Sequence, residues 1–141
     1  MLFIVDSDIP FIRGVLEPYA EVRYLRGVEI DASAVHNADA LIIRTRTRCN
    51  ASLLESSNVK FIATATIGTD HIDLNYCKQH NIAVHNAKGC NARGVLQWVA
   101  AALKHVVNSD KRSPENYCIG IVGVGSVGSL VSEYSRHWGF R

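Results

Sequence analysis

The amino-acid sequence predicts an α/β fold built on a parallel sheet that helices cover on both faces. Six short apolar runs recur along the chain, and most of them are apolar on both faces instead of alternating with polar residues. Runs of this kind are typical of parallel strands buried on two sides. Stretches with helical periodicity separate the runs, as in a series of strand–helix units. These two observations favour a parallel sheet over an antiparallel meander.

Each predicted strand is an apolar run of five to seven residues that polar or glycine-containing sequence follows. Such short runs, bounded by turn-forming residues, indicate strands more than helices. The strands are expected at residues 2–6, 21–25, 40–45, 60–66, 82–86 and 117–123.

Helices are predicted between these strands. A short helix after the first strand starts near Pro10, has apolar residues at helical spacing and ends at Pro18. A later helix follows Asp70, a candidate N-cap, and the longest helix starts at Asn91 and has a broad apolar face. The predicted helices cover residues 8–18, 32–37, 51–55, 72–80, 91–107 and 127–138.

Composition and charge limit the possible partners and locations. The chain has 141 residues, of which 48% are hydrophobic and 20% charged, and its formal net charge is +2. This charge is too small for a nucleic-acid surface or an anionic-membrane surface, so neither partner is expected. The four cysteines form neither a zinc-ligand pattern nor a disulfide framework, so we expect no metal site and a cytoplasmic location. No signal peptide or membrane-spanning segment is predicted.

The glycine-rich sequence G-V-G-S-V-G lies between the last predicted strand and the last predicted helix. In this setting the G-x-G-x-x-G pattern predicts a dinucleotide-binding turn. Gly123 permits a tight turn, Gly125 lets the backbone approach a pyrophosphate, and Gly128 lets the helix approach the strand. Ser126 and Val127 follow Gly125 at the helix start, where unpaired N–H groups face the phosphates. The alternative is a turn that only packs a helix on a strand.

The acidic residue that grips the adenosine ribose is expected about 20 residues beyond such a turn. The chain ends at Arg141, before that position, so the sequence does not distinguish NAD from NADP. One strand–helix pair cannot bury both faces of its strand, and we therefore expect residues 117–141 to be the truncated start of a second domain.

The loop after the third predicted strand reads R-T-R-T-R-C-N. If it is extended, alternation places Arg44, Arg46 and Arg48 on one side and Thr45 and Thr47 on the other. Guanidinium and hydroxyl groups together suit a phosphate or a carboxylate. The alternative is a solvated basic edge.

The loop after the fourth predicted strand, T-A-T-I-G-T-D-H-I-D, joins hydroxyl groups to a glycine. Thr66 and Gly68 can present short donors and backbone N–H groups to a small anion. His71 and His85 lack an evident Asp or Glu partner in the sequence, and we expect them to be structural or solvated.

The sequence contains TATIGTDHID, then KGCNARGV at the start of the long helix, and then IGIVGVGSVG. In their order and spacing these stretches resemble the NAD-dependent D-2-hydroxyacid dehydrogenases, over essentially the whole chain. The start LFIVDSDIPF, the strand end IIRTRT and the turn GCNA resemble, more narrowly, the members that oxidise a phosphorylated four-carbon acid in pyridoxal 5'-phosphate biosynthesis.

The resemblance implies a flavodoxin-like substrate domain at residues 1–90, a linking helix and loop at 91–116, and a truncated Rossmann NAD-binding domain at 117–141. It implies NAD as cofactor, a small phosphorylated hydroxy acid as substrate, and a homodimer in the complete enzyme. Thr45 and Thr66 correspond to substrate-binding positions, and the glycines to the pyrophosphate turn. We expect Arg44 and Arg46 to bind the phosphate because of their charge.

The catalytic Arg, Glu and His of that family are expected beyond residue 141, so the chain by itself is expected to be inactive. Two other interpretations remain open. One is a different D-2-hydroxyacid dehydrogenase, of the phosphoglycerate or hydroxypyruvate type. The other is a non-catalytic flavodoxin-like fragment that binds a small anion, or a gene product without a role.

Overall fold

A five-stranded parallel sheet forms the centre of the first of the two units into which the chain divides, Met1–Lys88 and Gly89–Arg141. The computed structural model describes residues 1–141. The strand order is β2-β1-β3-β4-β5, and every neighbouring pair is parallel. The strands are β1 (Leu2–Asp6), β2 (Glu21–Leu25), β3 (Ala40–Ile43), β4 (Phe61–Thr64) and β5 (Ala83–Asn86). This is a flavodoxin-like order, in which the winding reverses between β1 and β3, so the predicted α/β class and parallel sheet are confirmed.

The central strands supply most of the core of this unit. Ile4 and Val5 are adjacent in β1 and both are fully buried, which shows that the sheet is covered on both faces. Burying one such aliphatic side chain contributes about 1.5–3 kcal/mol. Three short helices connect the strands and complete the core; they are α1 (Ala32–Val35), α2 (Ala51–Leu54) and α3 (Leu74–Gln79).

The helix predicted between residues 8 and 18 is wrong, because this segment is a series of turns. Phe11 has φ +60° and Gly14 has φ +84°, and neither value is compatible with a right-handed helix. Phe11 is 98% exposed, so the apolar residues at helical spacing do not form a buried face. The prolines and the spacing predicted a helix that no packing stabilises.

The cap of α3 is Asp73 and not Asp70, which corrects the prediction. The Asp73 side chain accepts a hydrogen bond from Tyr76 N at 2.9 Å. Asp70 lies three residues earlier, before the helix begins, so its carboxylate is available to the loop. Two aspartates three residues apart are equally good caps by composition, and the backbone conformation decides between them.

The second unit contains α4 (Ala92–Asp110), a 3₁₀ turn at Pro114–Asn116 and α5 (Ser126–His137). The strand predicted at residues 117–123 is wrong, because this segment pairs only with Arg141: Ile119 N donates to Arg141 O at 2.7 Å, and Arg141 N to Tyr117 O at 3.1 Å. A strand needs a neighbour along its length. None of the helices in either unit is both long enough and apolar enough to cross a membrane.

Candidate functional site

The loops that follow β3 and β4 meet at the carboxyl edge of the sheet, where ligands of parallel sheets bind. Cys49 N donates to His71 O at 2.9 Å, and Asp73 N donates to Cys49 O at 2.8 Å. Cys49 also forms a parallel bridge with Ile72. These backbone bonds hold the two loops against each other, so side chains that are distant in sequence share one surface.

The first part of this surface is a cleft of about 360 Å³ lined by Asp6, Asp8, Arg44, Thr45 and Arg46. The structure thus brings together three of the predicted substrate-binding residues. Each of the three is exposed on the cleft side of the β3 loop. Their proximity comes from consecutive positions in a turn. Asp6 is the last residue of β1, and Asp8 lies two residues beyond it.

Residues 44–48 are not extended, so the condition under which alternation would align the three arginines is not met. The segment is a turn, in which Thr47 N donates to Arg44 O at 3.3 Å. Thr47 is 2% exposed and its hydroxyl donates to Gly27 O at 3.0 Å. This buried bond turns the loop inward, so the three arginines are not aligned by strand alternation and Arg48 is directed to a separate cleft.

Asp8 competes with any anion for the two arginines of the first cleft. Arg44 Nη1 donates to the carbonyl oxygen of Asp8 at 2.9 Å, and Arg46 Nη1 lies 4.0 Å from Asp8 Oδ2. The Arg46 and Asp8 side chains are 64% and 45% exposed, so water screens their attraction, which is worth at most about 1 kcal/mol. A phosphate that offers two oxygens to Arg46 therefore replaces Asp8 without a large penalty.

The second cleft, of about 250 Å³, is lined by Thr45, Arg48, Gly68, Asp70 and His71. Thr45 lines both clefts, so they adjoin along the β3 loop. No substrate-binding role was predicted for Asp70 or His71, and Arg48 was expected only to lie on the same side as Arg44 and Arg46. Their positions just after two neighbouring parallel strands were the signal that could have found them.

Thr66 is oriented by neighbours within its own loop. Thr66 Oγ1 lies 2.7 Å from Thr64 Oγ1 and donates to Gly68 O at 3.1 Å. Thr64 Oγ1 also lies 3.0 Å from His71 Nε2. Thr66 is not among the residues that line the two clefts, but Gly68 and His71, at the two ends of this set of bonds, line the second one.

The side chain of His71 therefore has a partner, Thr64, that its sequence neighbourhood did not reveal. Burial lowers the pKa of His71 below its ordinary value, and the adjacent Asp70 carboxylate acts in the opposite direction. The loss of hydration in the loop outweighs the attraction of a carboxylate that faces solvent. The neutral imidazole is the favoured form near neutral pH.

The three glycines of the turn in the second unit differ in backbone conformation and in the space around them. Gly123 has φ +90°, a conformation that side chains disfavour. A Cβ on Gly128 would overlap the Gly123 carbonyl oxygen and would lie 3.1 Å from the Gly123 carbonyl carbon. A Cβ on Gly125 would meet nothing within 4 Å. The turn geometry requires the first and last glycines, whereas the space beside Gly125 is open.

The start of α5 presents unpaired N–H groups beside open space. Gly125 is the N-cap, and the first helical hydrogen bond runs from Ser129 N to Gly125 O at 2.9 Å. The N–H groups of Ser126, Val127 and Gly128 precede that bond and have no helical acceptor. They lie at the positive end of a 12-residue helix. Open space at Gly125 next to unpaired donors is the shape that an anionic group needs.

Comparisons with known proteins identify the family of the chain. Residues 4–125 match the family model of the D-isomer specific 2-hydroxyacid dehydrogenase catalytic domain. The chain is 48% identical to erythronate-4-phosphate dehydrogenase of Bacteroides thetaiotaomicron, an alignment that includes 100% of this chain and 41% of that protein. The chain therefore spans about two fifths of the length of this curated relative.

Solved structures share the fold. The NAD⁺-bound 3-phosphoglycerate dehydrogenase of Entamoeba histolytica is 25% identical, with a TM-score of 0.72 over 100% of this chain and 52% of that chain. The D-lactate dehydrogenase of Aquifex aeolicus, complexed with NAD and lactic acid, is 22% identical, with a TM-score of 0.72 over 99% of this chain and 49% of that chain.

Proposed function

Because the chain belongs to the D-isomer specific 2-hydroxyacid dehydrogenase family, we propose that the complete protein containing it oxidises 4-phospho-D-erythronate to 2-oxo-3-hydroxy-4-phosphobutanoate. This reaction is a step in pyridoxal 5'-phosphate biosynthesis. The name of the Bacteroides relative, which matches the whole chain at 48% identity, supports this substrate.

One observation carries the proposal: Thr45 lies at the junction of two clefts that each contain arginine. The proposed substrate is a short acid with a phosphate at one end and a carboxylate at the other. Arg44 and Arg46 receive the phosphate, whose oxygens suit planar guanidinium groups. Thr45, which lines the second cleft, and Thr66, whose hydroxyl donates to Gly68 of that lining, contact the other end of the substrate. Two anionic ends on a four-carbon chain thus match two neighbouring polar clefts.

NAD is the proposed cofactor. The turn residues Gly123, Gly125 and Gly128, with the amides of Ser126 and Val127, would hold its pyrophosphate. When it is bound, NAD accepts the hydride from substrate C2. The residues described here bind and orient the substrate and the cofactor. The group that takes the proton of the C2 hydroxyl belongs, in this proposal, to the part of the complete protein beyond these 141 residues.

The experiment compares charge-removing variants on two substrates. The complete protein is assayed for NADH formation with 4-phospho-D-erythronate and with D-erythronate, which lacks the phosphate. Arg44→Ala and Arg46→Ala are each expected to raise KM for the phosphorylated acid about tenfold to hundredfold, because a charge-assisted hydrogen bond is worth about 1.5–3 kcal/mol. The KM for D-erythronate should stay within about twofold, since its missing phosphate is the group these arginines bind.

Arg23→Ala is the matched control, because Arg23 is an exposed arginine on the edge strand β2. It should change neither constant. Equal losses on both substrates, or an equal loss in Arg23→Ala, would contradict the phosphate assignment. Failure of the wild-type protein to reduce NAD with 4-phospho-D-erythronate would contradict the proposed activity itself.

The competing interpretation, a phosphoglycerate-type dehydrogenase, has weaker support, because the Entamoeba enzyme of that name is 25% identical to the chain and the Bacteroides relative is 48% identical. That enzyme class acts on a three-carbon phosphorylated acid. The same assay with 3-phosphoglycerate distinguishes the two enzyme types. A higher kcat/KM for this three-carbon acid than for 4-phospho-D-erythronate would contradict the proposed substrate. If the protein bound phosphate but turned over no hydroxy acid, the remaining interpretation would be a non-catalytic module that binds a small anion.

We also propose a homodimer in the cytoplasm for the complete enzyme. The family resemblance supports the dimer, and the four cysteines, all free thiols, suit a reducing compartment. Light scattering on the purified complete protein tests the first point. Because association depends on protomer concentration, the measurement is repeated over a dilution series, and a monomer at every concentration would contradict the dimer.

A further inference from the structure

Four groups in the β4 loop form a continuous hydrogen-bonded chain. His71 Nε2 lies 3.0 Å from Thr64 Oγ1, and Thr64 Oγ1 lies 2.7 Å from Thr66 Oγ1. Thr66 Oγ1 donates to the carbonyl oxygen of Gly68 at 3.1 Å. Thr64 is 3% exposed, so the middle of this chain is shielded from bulk water.

Counting protons gives the chain a direction. A carbonyl oxygen only accepts, so Gly68 O takes the single hydroxyl proton of Thr66. Thr66 must then accept from Thr64, and Thr64 has no second proton for the imidazole. His71 Nε2 therefore carries a hydrogen and donates it to Thr64. All bonds in the chain run from His71 toward Gly68.

We propose that His71 is a positioning residue, whose Nε2–H acts through Thr64 to hold the Thr66 hydroxyl as a donor toward an acceptor oxygen of the anionic substrate. The inference rests on the proposed function, which assigns Thr66 to the substrate. His71 is the first donor of the chain and lines the second cleft together with Gly68, the last acceptor.

The direction of the chain matters because carboxylate and phosphate oxygens only accept hydrogen bonds. A free hydroxyl rotates and offers a proton or a lone pair with similar ease. Here Thr64 occupies a lone pair of Thr66, and the Thr66 proton has to point away from Thr64. In the absence of substrate the proton is held by Gly68 O. A charged substrate oxygen, as the stronger acceptor, takes its place.

The orientation does not depend on the charge of His71. The Nε2–H is present both in the neutral Nε2–H tautomer and in the imidazolium, and it is missing only in the Nδ1–H tautomer. The hydrogen-bond geometry thus determines which tautomer the neutral ring adopts. It excludes the Nδ1–H tautomer at this position.

The kinetic experiment uses paired variants of the complete protein with 4-phospho-D-erythronate. His71→Phe keeps a ring but removes the donor, and is expected to raise KM about fivefold to tenfold with kcat within about twofold, as for one lost hydrogen bond. His71→Gln places an amide N–H near the Nε2 position and should restore most of the affinity. His80→Ala, a change at an exposed histidine at the end of α3, is the control.

A second pair protects the test against misfolding of the His71 variants. Thr64→Val removes the central hydroxyl with little change in shape, and Thr64→Ser retains it. If His71 acts through Thr64, Thr64→Val should raise KM as His71→Phe does, and Thr64→Ser should keep the wild-type KM. Thermal unfolding of each variant identifies any loss of fold. If the Gln and Phe variants share one KM while both stay folded, or if Thr64→Val binds normally, the positioning role is wrong.

A spectroscopic readout is independent of the substrate. The ring ¹⁵N shifts of His71, assigned by difference with His71→Gln, should show Nε2 protonated and Nδ1 bare in the neutral form. The opposite tautomer would overturn the inference. A wild-type protein that is inactive on 4-phospho-D-erythronate would refute the proposed function, while this tautomer measurement would still decide the inference.

Discussion

The glycine turn allows a sharp separation of folding from cofactor binding. Gly128→Ala places a methyl group on the carbonyl oxygen of Gly123, and Gly125→Ala places one where nothing lies within 4 Å. Both substitutions add the same atom within one turn. Any difference between them therefore comes from the space around the Cβ.

The two costs are worked from these surroundings. For Gly128→Ala, overpacking against the backbone costs about 3 kcal/mol, and the helix propensity of Ala offsets about 1 kcal/mol, which leaves about 2 kcal/mol. For Gly125→Ala, the φ of −89° and ψ of −157° are open to Ala. Ala is a weaker N-cap than Gly, which lowers the stability by about 0.5 kcal/mol. Ala also reduces the conformational freedom of the unfolded chain, which raises the stability by a similar amount.

Hydrogen exchange of the α5 amides in the complete protein measures the difference. Gly128→Ala should accelerate exchange about 30-fold, the equivalent of about 2 kcal/mol in a local opening equilibrium. Gly125→Ala should leave exchange within about twofold, yet weaken NAD binding by about tenfold or more, because the methyl occupies the space beside the helix N-terminus. Calorimetric titration of NAD gives the second quantity.

Two results would refute this reasoning. Unchanged α5 exchange in Gly128→Ala would mean that the close approach of helix and turn is not required. Normal NAD affinity in Gly125→Ala would mean that the open space at Gly125 is not where the pyrophosphate binds. The second result would leave the first conclusion intact, since the folding readout does not involve the cofactor.

Two further predictions concern the first unit. Asp73→Ala should lower its stability by about 1 kcal/mol through loss of the α3 cap, whereas Asp70→Ala should change it by less than about 0.5 kcal/mol. Thermal unfolding of the two variants measures this difference, and equal effects would refute the assignment of the cap. Burial raises the pKa of Cys49 to about 12, so this thiol stays protonated at about pH 8. It should resist iodoacetamide in the native protein, while the exposed Cys90 is labelled. Mass spectrometry of the labelled peptides checks this, and early labelling of Cys49 would contradict it.

The strands and the long helix were predictable because their signals are local. The bounds predicted for β1 and β2 agree with the structure, and β3, β4 and β5 are shorter than predicted by one to three residues. Each strand of the sheet coincides with an apolar run bounded by polar residues, but the similar run at 117–123 has no neighbouring strand and is not a strand. The prediction for segment 8–18 failed because apolar spacing without a packing partner does not determine a helix.

The candidate site was predictable in its location and less so in its geometry. The rule that ligands bind at the carboxyl ends of parallel strands selected two loops that the structure holds against each other. It did not reveal the turn at residues 44–48, which the buried bond between Thr47 and Gly27 imposes. A bond between residues 20 positions apart has no signature in a sequence window.

The sequence by itself determined the α/β class, the order of the five sheet strands along the chain, and the glycine turn before α5. These follow from the residue types of short segments. Only the tertiary structure decided that Thr45 faces two clefts, that Asp8 opposes the arginines, and that His71 reaches Thr66 through Thr64. The reason is physical: strand order brings separate loops to one edge, and hydrogen-bond direction depends on which atoms meet there.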